Sequence, residues 1–423
     1  MEDSVRLVTD AMPTQESAPS LAWPQGDITS IPYRIYTDPE IFELEMARIF
    51  CAENWSYVCL EAEIPEPGDY IVTRIGNRSV VVTRDQEGVI RGFANRCAHR
   101  GVKVCRQRSG NSRFFVCPYH QWSYDARGRL RGVPFIKGVK KLGGMPEDFR
   151  REDHNLPPLS IASRGGVVFA SFAGELAELD DYLGETNLHY FDRVFDGRGL
   201  TLLGHSRQRI PGNWKLMFEN IKDPYHASLL HVFLVTFGLF RADQKSQVRM
   251  DPGGRHGLLI SRKGEQKGSE ATRDIANLRE DLVLADPRLL DPVKEFPDDA
   301  TVVMQTIWPN LIVQQQSNTL ALRQIQPLEP GAFELHWTFF GYEDDDGEMT
   351  RRRLRQANLM SSAGLVSADD SEVIKLAQDG VEDYPGDRAV VLMGGRGRDD
   401  EEHMVTEVAI RAFYHHYREV MGL

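Results

Sequence analysis

The sequence has no long apolar run. No stretch reaches the roughly 20 consecutive apolar residues of a membrane-spanning helix. Its first twenty residues carry early acids and no apolar core, so they do not read as a signal peptide. Both absences favour a cytoplasmic protein, with residues 1–20 as a loose tail. Basic residues are in deficit: 50 Lys and Arg stand against 62 Asp and Glu, a net charge of -12. Nucleic-acid phosphates and anionic membranes call for a basic face, so neither is an expected partner. Cysteine is scarce and odd in number, at five in 423 residues. That excludes a disulfide framework and leaves metal binding for any cysteine at ligand spacing. Internal repeats and low-complexity tracts are absent.

A chain of this length is expected to hold about two domains. Residues 35–50 have helical spacing of Phe42, Met46, Ile49 and Phe50, with Thr37 or Asp38 as a cap and Pro39 in the first turn. Residues 68–97 alternate apolar and polar and are broken at Gly76-Asn77 and Glu87-Gly88, the pattern of short antiparallel strands. The same style runs on, and residues 53–172 are expected to form a β domain. Beyond it, long strand patterns at 201–210, 258–263, 301–328 and 332–343 mix with a helix starting near Trp214 and amphipathic helices at 348–360 and 403–422. Strands and helices without βαβ alternation predict an α+β catalytic domain over 173–423, with 1–52 as a tail and helix packing on it.

The β domain contains Cys97-Ala-His99 and, after seventeen residues, Cys117-Pro-Tyr-His120. Two thiolates and two imidazoles fit either tetrahedral zinc or a Rieske [2Fe–2S] centre, in which His₂ replaces Cys₂ on one iron. Cys-then-His pairs favour the second, because structural zinc sites more often use Cys-x₂₋₄-Cys. Neutral imidazoles raise such a cluster to roughly −150 to +300 mV, from about −400 mV for plant-type clusters. Cys51, Cys59 and Cys105 fall outside the pattern and read as buried free thiols.

A second cluster lies in NWKLMFENIKDPYHASLLH, residues 213–231. His226 and His231 are five apart, about 140° around a regular helix. They can meet on one ion only if the helix breaks, and Pro224 is nearby to break it.

The loops CAHRG and CPYHQW resemble those of the Rieske family, and the second segment resembles the E-N-x(2–3)-D-x-Y-H-x₄-H signature of ring-hydroxylating oxygenase α subunits. The resemblance runs through nearly the whole chain in the family's order. It implies a Rieske β-sandwich-like domain plus a helix-grip domain, an antiparallel sheet with helices. It implies one [2Fe–2S] cluster held by Cys97, His99, Cys117 and His120, and one Fe²⁺ held by His226, His231 and an acid in SSAGLVSADDSEV. That acid is expected to be Asp370, with Asp369 as the alternative. A 2-His-1-carboxylate set leaves coordination positions open for O₂. Asp223 matches the family's bridging aspartate, expected between His226 and His120 of a neighbouring subunit. NADH electrons are expected through a reductase and a ferredoxin, in an α3β3 assembly with a small β subunit. Only Ile221 and Lys222 separate Asn220 from Asp223, one residue fewer than in naphthalene-type members. Longer segments resemble three-component anthranilate 1,2-dioxygenases, which form catechol, CO₂ and NH₃, and salicylate 5-hydroxylases, which form gentisate. Anthranilate is the first expectation and salicylate or another ortho-substituted benzoate the alternative. Asn220, Gln314, Gln316, Met360, Val366 and Ser367 are candidate pocket residues. Sequence offers no arginine for the substrate carboxylate.

Overall fold

A computed structural model describes residues 23–240, 243–262, 272, 275, 278, 281–362 and 364–423. The expected loose tail, 1–20, lies outside the described residues. The chain divides into two compact units, one containing Phe50–Leu176 and the other Ala18–Ile49 with Ala177–Leu423.

The first unit is built of strands, with short 3-10 turns at Glu61–Glu63 and Arg151–His154. Tyr70, Val81, Phe93, Phe115, Trp122 and Tyr124 fill its core, together with the apolar faces of Cys97 and Cys117. Asp69–Ile75 pairs with Arg78–Arg84 across the Gly76-Asn77 turn, and Arg78–Arg84 pairs in turn with Ile90–Ala94. A separate three-stranded sheet, Phe114–Val116, Ser123–Asp125 and Leu130–Gly132, flanks the second Cys–His loop.

The second unit is built on a seven-stranded antiparallel sheet. Six strands follow one another as a meander from Ser246–Met250 to Ala332–Tyr342, and Leu200–Ile210 closes the other edge on that last strand. Thr319–Glu329, in the sheet interior, is buried along nearly its whole length. Apolar residues therefore occupy both of its faces, and any polar residue there needs a reason.

Helices grip this sheet. Asp38 caps Pro39–Glu45 by accepting from Glu40 N at 2.8 Å, and the helix widens at its end into the Met46–Phe50 turn. Asn213 caps Trp214–Lys222. That helix is pinned through Glu45, whose buried carboxylate accepts from Lys215 Nζ at 2.5 Å, Trp214 Nε1 at 2.7 Å and Tyr417 OH at 2.6 Å. A buried carboxylate fully supplied with donors escapes the cost of an unpaired one. The C-terminal helix, Val408–Met421, buries Phe413, Tyr414 and Tyr417 against it. Leu365–Asp383 is a 19-residue helix that the sequence patterns did not single out. Among the described residues no helix is long and apolar enough to cross a membrane.

Candidate metal centres

The two Cys–His loops are built alike. Gly101 N donates to Cys97 O and Cys97 N to Val102 O, both at 2.9 Å. In the second loop Gln121 N donates to Cys117 O at 3.0 Å and Cys117 N to Trp122 O at 2.8 Å. The fourth residue after each cysteine turns through positive φ, 69° at Gly101 and 59° at Gln121. Glycine takes that conformation freely, and Gln121 takes it against its side chain. The matched turns bring the pairs together: the His99 and His120 ring centres are 4.5 Å apart. Burial, and then the adjacent Cys97, push the Cys117 thiol up. Neither cysteine is in a disulfide, and His99 Nδ1 and His120 Nδ1 are buried with no hydrogen-bond partner. Buried polar nitrogens without partners are rare, and two beside two buried thiols fit a cluster ligated by His on one iron and Cys on the other. Trp122 stacks on His99 at 4.8 Å, and Tyr124 OH lies 3.2 Å from Cys97 Sγ.

In the second unit the chain breaks at Asp223, which ends Trp214–Lys222 and caps Pro224–Leu230 by accepting from Tyr225 N at 2.9 Å. Pro224 then starts the new helix, where its missing N–H is harmless. The break that lets the histidines converge is therefore at His231, which leaves the helix at φ −88° and ψ 61°, and not at Pro224. His231 Nε2 lies 3.1 Å and His226 Nε2 3.7 Å from Asp370 Oδ1. One ligand atom from each of the three falls within 4.8 Å of the others. Asp370 comes from the Leu365–Asp383 helix. Burial would raise its pKa, but hydrogen bonding and charge from His231, together with His226 and Asn220, outweigh that and hold it below the usual carboxylate range. For His226, burial disfavours the charged form, and the contact with Asp223 overrides it and raises the pKa. Two imidazoles and one carboxylate with ligand atoms this close fit a divalent iron with open positions.

An acid lies behind each ring. Asp369 Oδ2 lies 3.4 Å from His231 Nδ1, and Asp223 Oδ2 3.5 Å from His226 Nδ1. Carboxylates behind ligand imidazoles fix their tautomer and orientation. Asn220 Nδ2 donates to Asp370 Oδ1 at 3.0 Å, which brings this pocket residue to the ligand set itself. Met360 and Val366 join an apolar cluster with Leu234, Phe240, Leu359 and Met404, against which Ala227 packs. Ser367 Oγ donates to Gln208 Oε1 at 2.8 Å and ties its helix to the sheet.

Sequence reasoning missed Arg323. It sits in the interior strand Thr319–Glu329 and is 3% exposed. Its Nε donates to Gln314 Oε1 at 2.7 Å, and Gln314 Nε2 donates to Gln316 Oε1 at 2.9 Å. Its guanidinium stacks on Trp337 at 4.2 Å. Among the described residues no carboxylate forms an ion pair with it. Burial lowers its pKa to about 10, with Asp370 the one charge opposing that shift. A charged residue inside the apolar run TLALRQIQ was the signal available in the sequence.

Comparison with known proteins agrees with these centres. Residues 54–143 match the Rieske [2Fe-2S] domain, and residues 185–423 match the catalytic domain of the ring hydroxylating alpha subunit. The chain is 51% identical to the large oxygenase component of salicylate 5-hydroxylase from Ralstonia sp., over 95% of this chain and 96% of that one. It is 40% identical to the anthranilate 1,2-dioxygenase large subunit of Burkholderia cepacia, over 96% and 97% of the two chains. Naphthalene 1,2-dioxygenase from Rhodococcus sp. superposes with a TM-score of 0.77 at 26% identity, over 93% and 94% of the two chains. The chain belongs to the α subunits of the Rieske-type ring-hydroxylating oxygenases, enzymes that use one [2Fe–2S] cluster and one mononuclear iron.

Proposed function

We propose that this chain is the large subunit of an oxygenase that hydroxylates an ortho-substituted benzoate, with salicylate as substrate and gentisate as product. The observation that carries the substrate class is Arg323. A buried guanidinium held by the neutral Gln314, electrostatically coupled to Asp370, has no carboxylate partner among the described residues. A carboxylated ring supplies one, and Arg–carboxylate pairing gives the planar, directional contact that orients a flat substrate. Sequence motifs put anthranilate first. Identity of 51% to a salicylate 5-hydroxylase, against 40% to an anthranilate 1,2-dioxygenase, favours reversing that order.

The roles follow from the chemistry of each side chain. Cys97, His99, Cys117 and His120 hold the cluster, and His226, His231 and Asp370 hold the iron. When bound, these metals supply electron transfer and O₂ activation that no side chain can. Asp223 and Asp369 orient the imidazoles, and Asn220 orients the carboxylate of Asp370. Arg323 anchors the substrate carboxylate, and Gln316, relayed through Gln314, is a candidate for its ortho hydroxyl. Met360 and Val366 wall the ring and exclude water. Asp223 also forms the electron link to a neighbouring subunit's cluster in an α3β3 assembly, fed from NADH by a reductase and ferredoxin.

The test is product analysis with the small subunit, ferredoxin and reductase present. Gentisate from salicylate supports the proposal. Catechol and ammonia from anthranilate, with salicylate inert, would move the assignment to the dioxygenase.

A further inference from the structure

The helix that carries Asn220 also carries Glu219, which none of the roles above uses. Its Oε1 meets two phenols. Tyr36 OH lies 2.8 Å from it, Tyr414 OH is closer still, and the two phenol oxygens are 2.9 Å from each other. Tyr36 comes from the helix Arg34–Thr37 and Tyr414 from Val408–Met421. Three oxygens thus form a closed triangle with a hydrogen-bond distance on every edge.

Each edge needs one hydrogen. The two phenols bring two. If Glu219 were ionised, one edge would hold two oxygens facing each other with no hydrogen between them. That contact is repulsive, and the enclosure keeps water from relieving it. A hydrogen on Glu219 completes the ring, each oxygen donating to the next.

We propose that Glu219 is a protonated carboxylic acid that closes this ring with Tyr36 and Tyr414. As a positioning residue it holds the Trp214–Lys222 helix where Asn220 and Asp223 are aimed at the iron ligands, and loss of its proton opens the ring and slows turnover. The proposal rests on the oxygenase reading for its effect on turnover, but not for the protonation itself.

The electrostatics agree with the hydrogen count. Desolvation raises the Glu219 pKa to about 7. Glu219 itself is half-buried, and the two phenols that meet it are buried. Among the groups facing it, Lys215 on the same helix and the two phenols favour ionisation, and Asp223 at the helix end opposes it. Lys215 itself is committed to Glu45 at 2.5 Å. Burial and the nearby carboxyl hold both phenols well above their usual range, so Glu219 is the member that gives up a hydrogen first.

The experiment has two readouts on the loaded enzyme. Infrared difference spectra of the unaltered protein against Glu219→Gln are expected to show a carboxylic C=O band at about pH 6 that fades above about pH 8. The turnover profile is expected to lose its alkaline limb in Glu219→Gln, where the unaltered enzyme falls about tenfold per pH unit. Tyr414→Phe removes one corner of the ring, so it should shift the pH of the limb; it serves also if Glu219→Gln fails to fold. A Glu219-dependent band missing at pH 6 overturns the protonation whatever the substrate. A limb unchanged in both variants overturns the positioning role.

Discussion

Replacing Arg323 with methionine should separate stability from activity. Among the described residues the guanidinium has no ionic partner, and burial pulls its pKa from 12.5 to about 10. At 1.36 kcal/mol per pKa unit, that is a penalty of about 3 kcal/mol for keeping the charge there. Methionine fills similar volume without that penalty. Its loss on the other side is the donor to Gln314 Oε1, about 1–3 kcal/mol. The two terms nearly cancel, so Tm should move by no more than a few degrees. Activity should behave differently. A substrate carboxylate left in a buried site without its cation loses about 3–5 kcal/mol, or about 10²- to nearly 10⁴-fold in kcat/KM. Most of this should appear in KM, with uncoupled NADH oxidation as the poorly held ring lets O₂ react elsewhere. The assay is gentisate formed and NADH consumed, beside a thermal melt. A kcat/KM for salicylate within threefold of the unaltered enzyme would refute the assignment of Arg323.

Other outcomes follow from the same geometry. Asp370→Ala should leave the [2Fe–2S] absorbance intact and abolish bound iron, whereas Asp369→Asn should keep the iron and lower activity, as metal analysis would record. Asp223→Ala loses a helix cap worth about 1 kcal/mol and an imidazole partner. It should lower Tm slightly while cutting turnover far more, with both metal centres still loaded. Tyr124→Phe removes the hydroxyl 3.2 Å from Cys97 Sγ, and voltammetry should find the cluster potential lowered, because hydrogen bonds to ligand sulfur stabilise the reduced form.

Local patterns made the metal loops readable. Cys-x-His and Cys-x-x-His bind through side chains only a few residues apart, so their chemistry is written in short windows. The same holds for His226 and His231, although not for the place where their helix breaks. Proline drew attention to 224, but it sits where a helix tolerates it, and His231 supplies the break instead. Strand alternation marked the long sheet segments. It could not show that Leu200–Ile210 closes the sheet on Ala332–Tyr342, a pairing made across more than a hundred residues. The Leu365–Asp383 helix escaped notice because its ligand-bearing turn, SADDSEV, is polar on the face that a core helix would make apolar. Arg323 and Glu219 were hidden for one reason. Arg323 draws its meaning from Gln314 and Trp337 on the strands paired to either side, and Glu219 from far-off helices, so that no spacing rule connects 36, 219 and 414.

A single-turnover experiment tests the central claim most directly. The assembled oxygenase, loaded with iron and with its cluster reduced beforehand, would be mixed with salicylate and ¹⁸O₂ without ferredoxin or reductase. The account predicts gentisate carrying ¹⁸O as the cluster is oxidised, and no product when Asp370 is replaced by alanine. Cluster oxidation with no labelled product from salicylate or any other ortho-substituted benzoate would contradict it.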